Sequence, residues 1–312
     1  MNICDPIYSD PDLAREHLER LHWPDGPVCP HCGSVENITK LQGKKHRPGL
    51  YKCNACTGQF TVTVGTIMED SKIPLNKWLM AYALINGGKK GISAHQLHRA
   101  LGITYKSAWF LAHRIRETMD SGSDPLGGPG KVVEADETYV GGKGKNRRFR
   151  TPAPKKIVVS LVERDGRARS FHIANINAKT LRSVLVQNVD RKSYLSTDAG
   201  PHLYAAGYEF KLHGTVNHAA GEYARERAVT RLWTTDSRKW HSNTAENFFS
   251  IFKRGVIGTY HHMSEAHLHR YCREFDFRYN TRLMSDAERT VEALKGARGK
   301  RLMYRQPSSL AA

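Results

Sequence analysis

The chain has 312 residues, enough for two or three domains, because single hydrophobic cores serve on the order of 100 to 200 residues. Its 48 Lys+Arg against 30 Asp+Glu leave a formal net charge of +18 and a pI near 9.7, which makes a polyanion, nucleic acid first, the leading partner. No apolar run approaches the ~20 residues of a spanning helix, and the start MNICDPIYSDPDLAREHLERLHWP lacks a secretory signal, so the expectation is a cytoplasmic, nucleoid-associated protein with no membrane partner.

Residues 10 to 22 predict a short helix, with Asp10 as N-cap and Leu13, His17 and Leu21 at four-residue spacing. After the turn-rich WPDGPVCPHCGS, residues 29 to 64 read as small strands between two CxxC knuckles, Cys29-Pro-His-Cys32 and Cys53-Asn-Ala-Cys56. Two such turns bring four thiolates around one tetrahedral Zn²⁺, and a closed four-ligand site stabilises a small fold rather than catalysing a reaction. The other reading is two disulfides or free thiols, but a CxxC disulfide closes a small strained loop, and the paired rather than scattered cysteines fit a reducing compartment. His31, inside the first knuckle, is a bystander.

From 74 to 119 the pattern is helical. Pro74-Leu75 opens an apolar helix, Gly87, Gly88 and Gly91 end it, and two more helices follow in ISAHQLHRALGITYKSAWFLAHRIRETM. Ile92, Leu97 and Leu101 pack beneath the first, Gly102 turns the chain, and Thr104 caps a second that buries Ala108, Leu111 and Ile115. This is the pattern of a helix-turn-helix, or of a purely structural helical pair. As a recognition helix it would present Tyr105, Lys106, His113, Arg114 and Arg116, with Lys106, Arg114 and Arg116 as the candidate DNA contacts. The stretch SGSDPLGGPG, 121 to 130, is a linker by composition.

Beyond it the period changes to two: KVVEADETYV, IVVSLVE and RARSFHIA, the last pair joined by Asp165-Gly166, which suits a type I′ hairpin. Residues 178 to 189 are helical and SYLSTD is a short strand. Charges inside the first of these strands are costly unless paired or bound to metal. Glu134 and Asp136 share one face with Val132, and Val133, Ala135 and Glu137 share the other, so one carboxylate needs a cationic partner. Asp198 ends the SYLSTD strand before a glycine turn, and HSNTAENFFSIFKRG reads as a helix with Phe248, Phe249 and Phe252 inward and Glu246, Ser250 and Lys253 along one face. Three acids on two strands and a helix can hold two divalent metals ~3.5 to 4 Å apart, the arrangement of metal-assisted phosphoryl transfer. Taken singly, they read as a salt-bridge partner, a turn residue and a helix-surface acid. The basic loop GGKGKNRRFR beside the first acid offers Lys143, Lys145, Arg147 and Arg148 to phosphates. The last third is helical, with Ser264 as N-cap and Leu268, Tyr271, Cys272, Phe275 and Tyr279 on one face.

VEADETYVGGKGKNRR, YLSTDAG and HSNTAENFFSIFKRGVIGTYHH, with EFDFRYNTR after them, resemble the bacterial insertion-sequence transposases of the IS fifteen-ninety-five group over nearly the whole chain. The resemblance implies an α/β, RNase H-like catalytic domain with a mixed five-stranded sheet, preceded by a zinc ribbon and a helical DNA-binding region. The domains expected are 1–66, helix plus ribbon; 67–120, helix-turn-helix-like; the linker 121–130; 131–285, RNase H-like; and 286–312, a basic C-terminal helix and tail. The residues matching the family's acidic motif are Asp136, Asp198 and Glu246, expected to bind Mg²⁺ or Mn²⁺ at a two-metal site. Asn243 and Asn247 flank the third position, where a carboxylate suits a hard cation better than an amide. Lys253, with Arg254 beside it, is implied to contact terminal DNA. The function implied is a transposase that binds double-stranded DNA at terminal inverted repeats, cleaves it and joins it to target DNA, acting as a homo-oligomer. A zinc-ribbon DNA-binding regulator and a structure-specific nuclease are the alternatives.

Overall fold

A computed structural model describes residues 2, 4–120, 122–141, 155–225 and 239–304. The chain divides into two compact units, Met1–Asp120 with Met284–Ala312, and Ser121–Leu283. Among the described residues no helix is long and apolar enough to cross a membrane.

In the first unit, helix α1 (Pro11–His22) starts where Asp10 accepts from the amides of Asp12 and Leu13. It buries Ala14, Leu18 and His22, one residue on from the line Leu13, His17 and Leu21, because the neighbouring helices select the adjacent face. His22 Nε2 lies 3.3 Å from the Leu294 carbonyl. Strands β1 (Ile38–Lys40), β2 (Tyr51–Cys53) and β3 (Gln59–Phe60) form an antiparallel sheet with Cys53 opposite Ile38 and Tyr51 opposite Phe60. Helix α2 (Leu75–Gly87) is buried nearly all round, at Trp78, Leu79, Ala81, Tyr82, Ala83 and Ile85, as a central helix must be. Helix α3 (Ala94–Leu101) opens with a Ser93/Gln96 capping box and closes on Gly102 at φ 58°. Helix α4 (Tyr105–Glu117) is capped by Thr104, which accepts from the Ser107 amide.

The C-terminal helix (Asp286–Lys295) packs against α2, and Arg289 donates to the Asn86 carbonyl at 3.0 Å. The chain after it pairs back onto the ribbon side, with Ile67 N donating to Ala297 O and Gly299 N to Gly65 O, both at 2.9 Å. The C-terminal helix therefore belongs to the N-terminal unit, a pairing that no local pattern announces.

The second unit is a five-stranded mixed sheet. It comprises β4 (Val132–Val140), β5 (Lys156–Glu163), β6 (Ala168–Ile173), β7 (Tyr194–Asp198) and β8 (Leu212–Val216), in the order β6-β5-β4-β7-β8. The first three strands are antiparallel neighbours, and β7 and β8 run parallel to β4, which is the RNase H-like arrangement. The β5–β6 hairpin turns at Asp165, φ 57°, but Gly166 does not take the positive φ that the expected type I′ turn needs. Helices α5 (Ala178–Asn188) and α6 (Pro201–Gly207) cover one face over Val133, Ala135, Leu161, Leu181, Leu185 and Leu195. Helices α7 (Asn243–Gly255) and α8 (Glu265–Asn280) cover the other over Val158, Val162, Phe248, Phe252, Leu268 and Phe275. The alternation in β4 divides the strand between these two layers.

The segment expected as a linker differs from that expectation. Leu126 is buried in the second core and bridges Val189, and the amides of Gly127 and Gly128 donate to Glu163 Oε2 and Ser193 Oγ at 3.3 and 2.8 Å. Its four glycines stand at φ 75°, 85°, 122° and 80° (122, 127, 128 and 130), where they serve positive-φ backbone rather than flexibility.

Candidate functional site

Two sites emerge from the sequence motifs. In the ribbon, ligand atoms of Cys29, Cys32, Cys53 and Cys56 all lie within 4.8 Å of one another, with Sγ pairs 29–56 and 32–53 at 3.7 Å. These contacts run between the two knuckles, as ligands around one ion do and as disulfides within each CxxC do not. The Ser34 amide pulls the Cys32 thiol down, but burial and the other three thiols push it up to about 12, while the amides of Cys56 and Ala55 draw Cys53 down to about 7. Four sulfurs this close cannot all be thiolates without a cation, so the donor set fits a structural Zn²⁺. Gly58 sits close beside it, where a Cβ would stand 2.8 Å from the His31 ring and push that exposed side chain aside. His31 itself faces the Gln59 carbonyl at 3.4 Å and stays outside the cluster.

The acidic site lies on the second unit's sheet. The parallel register pairs Ala135 with Thr197, so Asp136, in the middle of β4, and Asp198, the last residue of β7, follow side by side on adjacent strands. Glu246 stands in the first turn of α7 on its exposed face, with the His218 imidazole Nδ1 at 3.2 Å. Burial raises the Asp136 carboxyl to about 7; the Glu137 amide opposes this, and the charges of Glu137, Glu246 and Asp198 add to it. Glu137 is raised too, by burial and by Asp198, with His202 opposing. The carboxylates thus share one field, though they are not closed together as the four sulfurs are. A group of acids that destabilise one another's charged forms, built from oxygen donors, fits a hard divalent cation.

That field has a measurable sign. Asp136 titrates higher in the folded chain than unfolded, so the native state binds the extra proton and stability falls as pH rises from about 4 through 7. The buried Asp276, raised to about 7 by burial, adds a slope of the same sign. In the zinc-loaded chain without Mg²⁺, Tm is expected to fall between pH 5 and pH 8, less steeply in Asp136→Asn; an identical slope in the variant would contradict it.

Glu134 is the carboxylate with the cationic partner. It is fully buried and bonded to Arg164 Nε at 2.6 Å. The sequence did not mark Glu137 as a neighbour of the site, although it adjoins Asp136, and gave His218, one of several histidines without a metal-binding spacing, no role there; it follows a strand, β8, that the periodicity did not reveal.

The basic residues divide differently from the sequence reading. Lys106 is exposed in the first turn of α4, its ammonium 4.7 Å from the Tyr304 ring centroid. Arg114 and Arg116 are only 7 % and 3 % exposed, and His113 1 %, so none of the three presents itself as a surface contact. Helices α2 and α3 pack on α4 and leave only its first turn open. Arg114 donates to the Glu69 carbonyl at 2.7 Å and lies over the Trp78 ring at 5.1 Å, which is a structural use of its charge. Arg114→Ala is expected to cost about 2 to 4 kcal/mol of the first unit's stability, seen as a lower Tm; an unchanged Tm would refute that use. Lys253 and Arg254 are exposed in the last turn of α7. Lys143, Lys145, Arg147 and Arg148 lie outside the described residues.

Comparison with known proteins accords with this geometry. Residues 125–280 match the family model of the ISXO2-like transposase domain, and residues 10–59 that of the transposase zinc-ribbon domain. A protein described as an uncharacterized protein in transposable element ISH50, from Halobacterium salinarum, is 26% identical over 280 residues, 85% of this chain and 89% of that protein. The male abnormal protein mab-31 of Caenorhabditis elegans is 28% identical over 202 residues, 56% of this chain; the chain spans about half of that relative's length, 46%. With a zinc-ribbon cluster, an RNase H-like sheet and both family models in their expected order, the chain belongs to the ISXO2-like transposases of the IS fifteen-ninety-five group.

Proposed function

We propose that this transposase binds the ends of its element and carries out metal-dependent cleavage and strand transfer of DNA at Asp136, Asp198 and Glu246. The observation that carries the proposal is the pairing of β4 with β7, which sets Asp136 beside Asp198 with Glu246 in the first turn of α7 near enough for its charge, with theirs, to raise the Asp136 carboxyl. Asp136 offers oxygens from the middle of β4 and Asp198 from the end of the adjacent β7, and Glu246 offers one from a helix laid across the same sheet face. When bound in a pair, Mg²⁺ or Mn²⁺ supplies activation of a water or 3′-hydroxyl and charge stabilisation at the leaving oxygen. Lys253 and Arg254 hold phosphates near that helix, and Lys143, Lys145, Arg147 and Arg148, which follow β4 in sequence, are further phosphate-binding residues. Residues 1–120 recognise terminal DNA, with Tyr105 and Lys106 at the open first turn of α4 as the reading positions, and residues 131–285 do the chemistry. Two or more copies pair the ends and the target.

The test incubates the full chain with labelled element ends, a target plasmid and Mg²⁺ or Mn²⁺. Joined products that disappear in the Asp136 and Asp198 variants support the proposal, cleaved but unjoined ends identify a nuclease, and end binding without either product identifies a regulator.

A further inference from the structure

The charge inside β4 that looks most out of place is not among the three proposed metal ligands. Glu134 has no exposed surface, and both of its oxygens are occupied by donors. Oε1 accepts from Arg164 Nε at 2.6 Å and Thr244 Oγ1 at 3.0 Å, and the His241 ring nitrogen lies 3.1 Å away. Oε2 accepts from the backbone amides of Thr244 and Ala245 at 2.8 and 3.0 Å. Those amides belong to the first turn of α7, whose own N-cap, Ser242, makes no side-chain cap bond. A carboxylate from another element therefore caps the helix, where unpaired N–H groups and the helix dipole both favour negative charge.

The same side chains fix the segment that leads into the helix. Arg164 also donates to the carbonyls of Lys239 and His241 at 2.8 and 3.0 Å, and Ser196 Oγ donates to the His241 carbonyl at 2.8 Å. Arg164 is itself held at the β5–β6 turn, its amide donating to Val132 O at 3.0 Å. Glu246 comes two residues after Thr244, and its side chain is nearly half exposed, with His218 as its one ion-pair partner among the described residues. Its packing therefore does not place it; the backbone of the first turn does.

We propose that Glu134, with Arg164, is the positioning residue of the active site: it clamps the first turn of α7 to β4 two residues before Asp136, and so sets where Glu246 stands relative to Asp136 and Asp198. The role rests on the reading of Glu246 as the third acid. Glu134 is not a ligand itself, since its oxygens face α7 donors, and its alternate neighbour Asp136 carries the open carboxyl.

The test uses the zinc-loaded full chain. Glu134→Gln keeps the shape but turns an amide N–H₂ toward groups that are themselves donors. Mn²⁺ affinity measured by electron paramagnetic resonance is expected to fall about tenfold, and the Mg²⁺ concentration for half-maximal joining to rise similarly, as supporting residues of a metal site do. Binding of element ends stays within about twofold, and hydrogen exchange quickens at the Thr244 and Ala245 amides while β5 amides keep their protection. Arg164→Lys keeps a cation beside Glu134 but releases the two carbonyls, and is expected to shift Mn²⁺ affinity in the same direction by a smaller factor; it carries the test if Glu134→Gln does not fold. Wild-type Mn²⁺ affinity in a folded variant overturns the proposal, as does a loss of joining that tracks only the folded fraction. Glu246→Gln is measured beside them. If it retains metal affinity and joining, the reading of Glu246 fails and the positioning role with it; if it is inactive while Glu134→Gln is normal, the positioning role alone fails.

Discussion

Asp136→Ala and Asp198→Ala are each expected to lower strand joining by at least about 10³-fold, roughly 4 kcal/mol of transition-state stabilisation, while end binding stays within about twofold. The stability readout runs the other way. Asp136 is a buried acid surrounded by like charge, so in the metal-free chain its removal relieves a penalty, and Tm near pH 8 is expected to hold or rise. A carboxylate kept for structure behaves oppositely. Glu134, with Arg164 and α7 amides as partners, loses stability when truncated because it leaves buried donors unpaired. Lost joining with undiminished Tm is thus the signature that separates a proposed ligand from an anchor two residues away. Undiminished joining in both Asp variants would remove the catalytic assignment, and a large fall in Tm for Asp136→Ala would make it a structural residue.

Much of this was legible because it is local. Two CxxC knuckles state their chemistry by spacing alone, and the Asp10 and Thr104 caps and the left-handed Gly102 each follow from what a residue does to its own backbone. The alternation of β4 correctly required a partner for one acid, but it did not say which. Arg164 is distant in sequence and meets Glu134 only through the β4–β5 pairing, and the donors of Thr244 and Ala245 arrive from a helix on a third element. The same limit explains α4. Amphipathic spacing gives an apolar stripe, but Arg114 and Arg116 are buried because α2 and α3 cover more than that stripe, and a long guanidinium can satisfy itself on a carbonyl and an indole. Ser264 marks the start of α8 as its sequence position indicates, yet makes no side-chain cap bond, so position and interaction separate even at a helix end. Composition misled at 121–130, where glycines chosen for positive φ look the same as glycines chosen for slack.

Removing zinc, or replacing Cys53 by Ser, is expected to unfold the ribbon outright. Its three strands are only three, three and two residues long, and its buried cluster is Cys29, Tyr51, Cys53 and Phe60, with Trp23 packed edge-on to the two rings at 5.3 and 5.8 Å. Two of those four buried residues are ligands, so the core and the metal site are the same object. A core of that size does not offset the entropy of ordering the segment, whereas a structural zinc contributes apparent values on the order of 10 kcal/mol at neutral pH. The expected result is loss of amide protection at Tyr51 and Cys53 and loss of end binding, with Mn²⁺ affinity at the acidic site retained, because that site is built wholly from the other unit's strands and helix. Acid acts in the same direction as chelation. Zinc holds the thiols as thiolates, Cys32 is a weak acid at about 12, and protons therefore compete for the site increasingly as pH falls. Protection that survives quantitative zinc removal would show that the strands hold themselves. Mn²⁺ affinity lost together with the zinc would show that the ribbon's metal supports more than the ribbon.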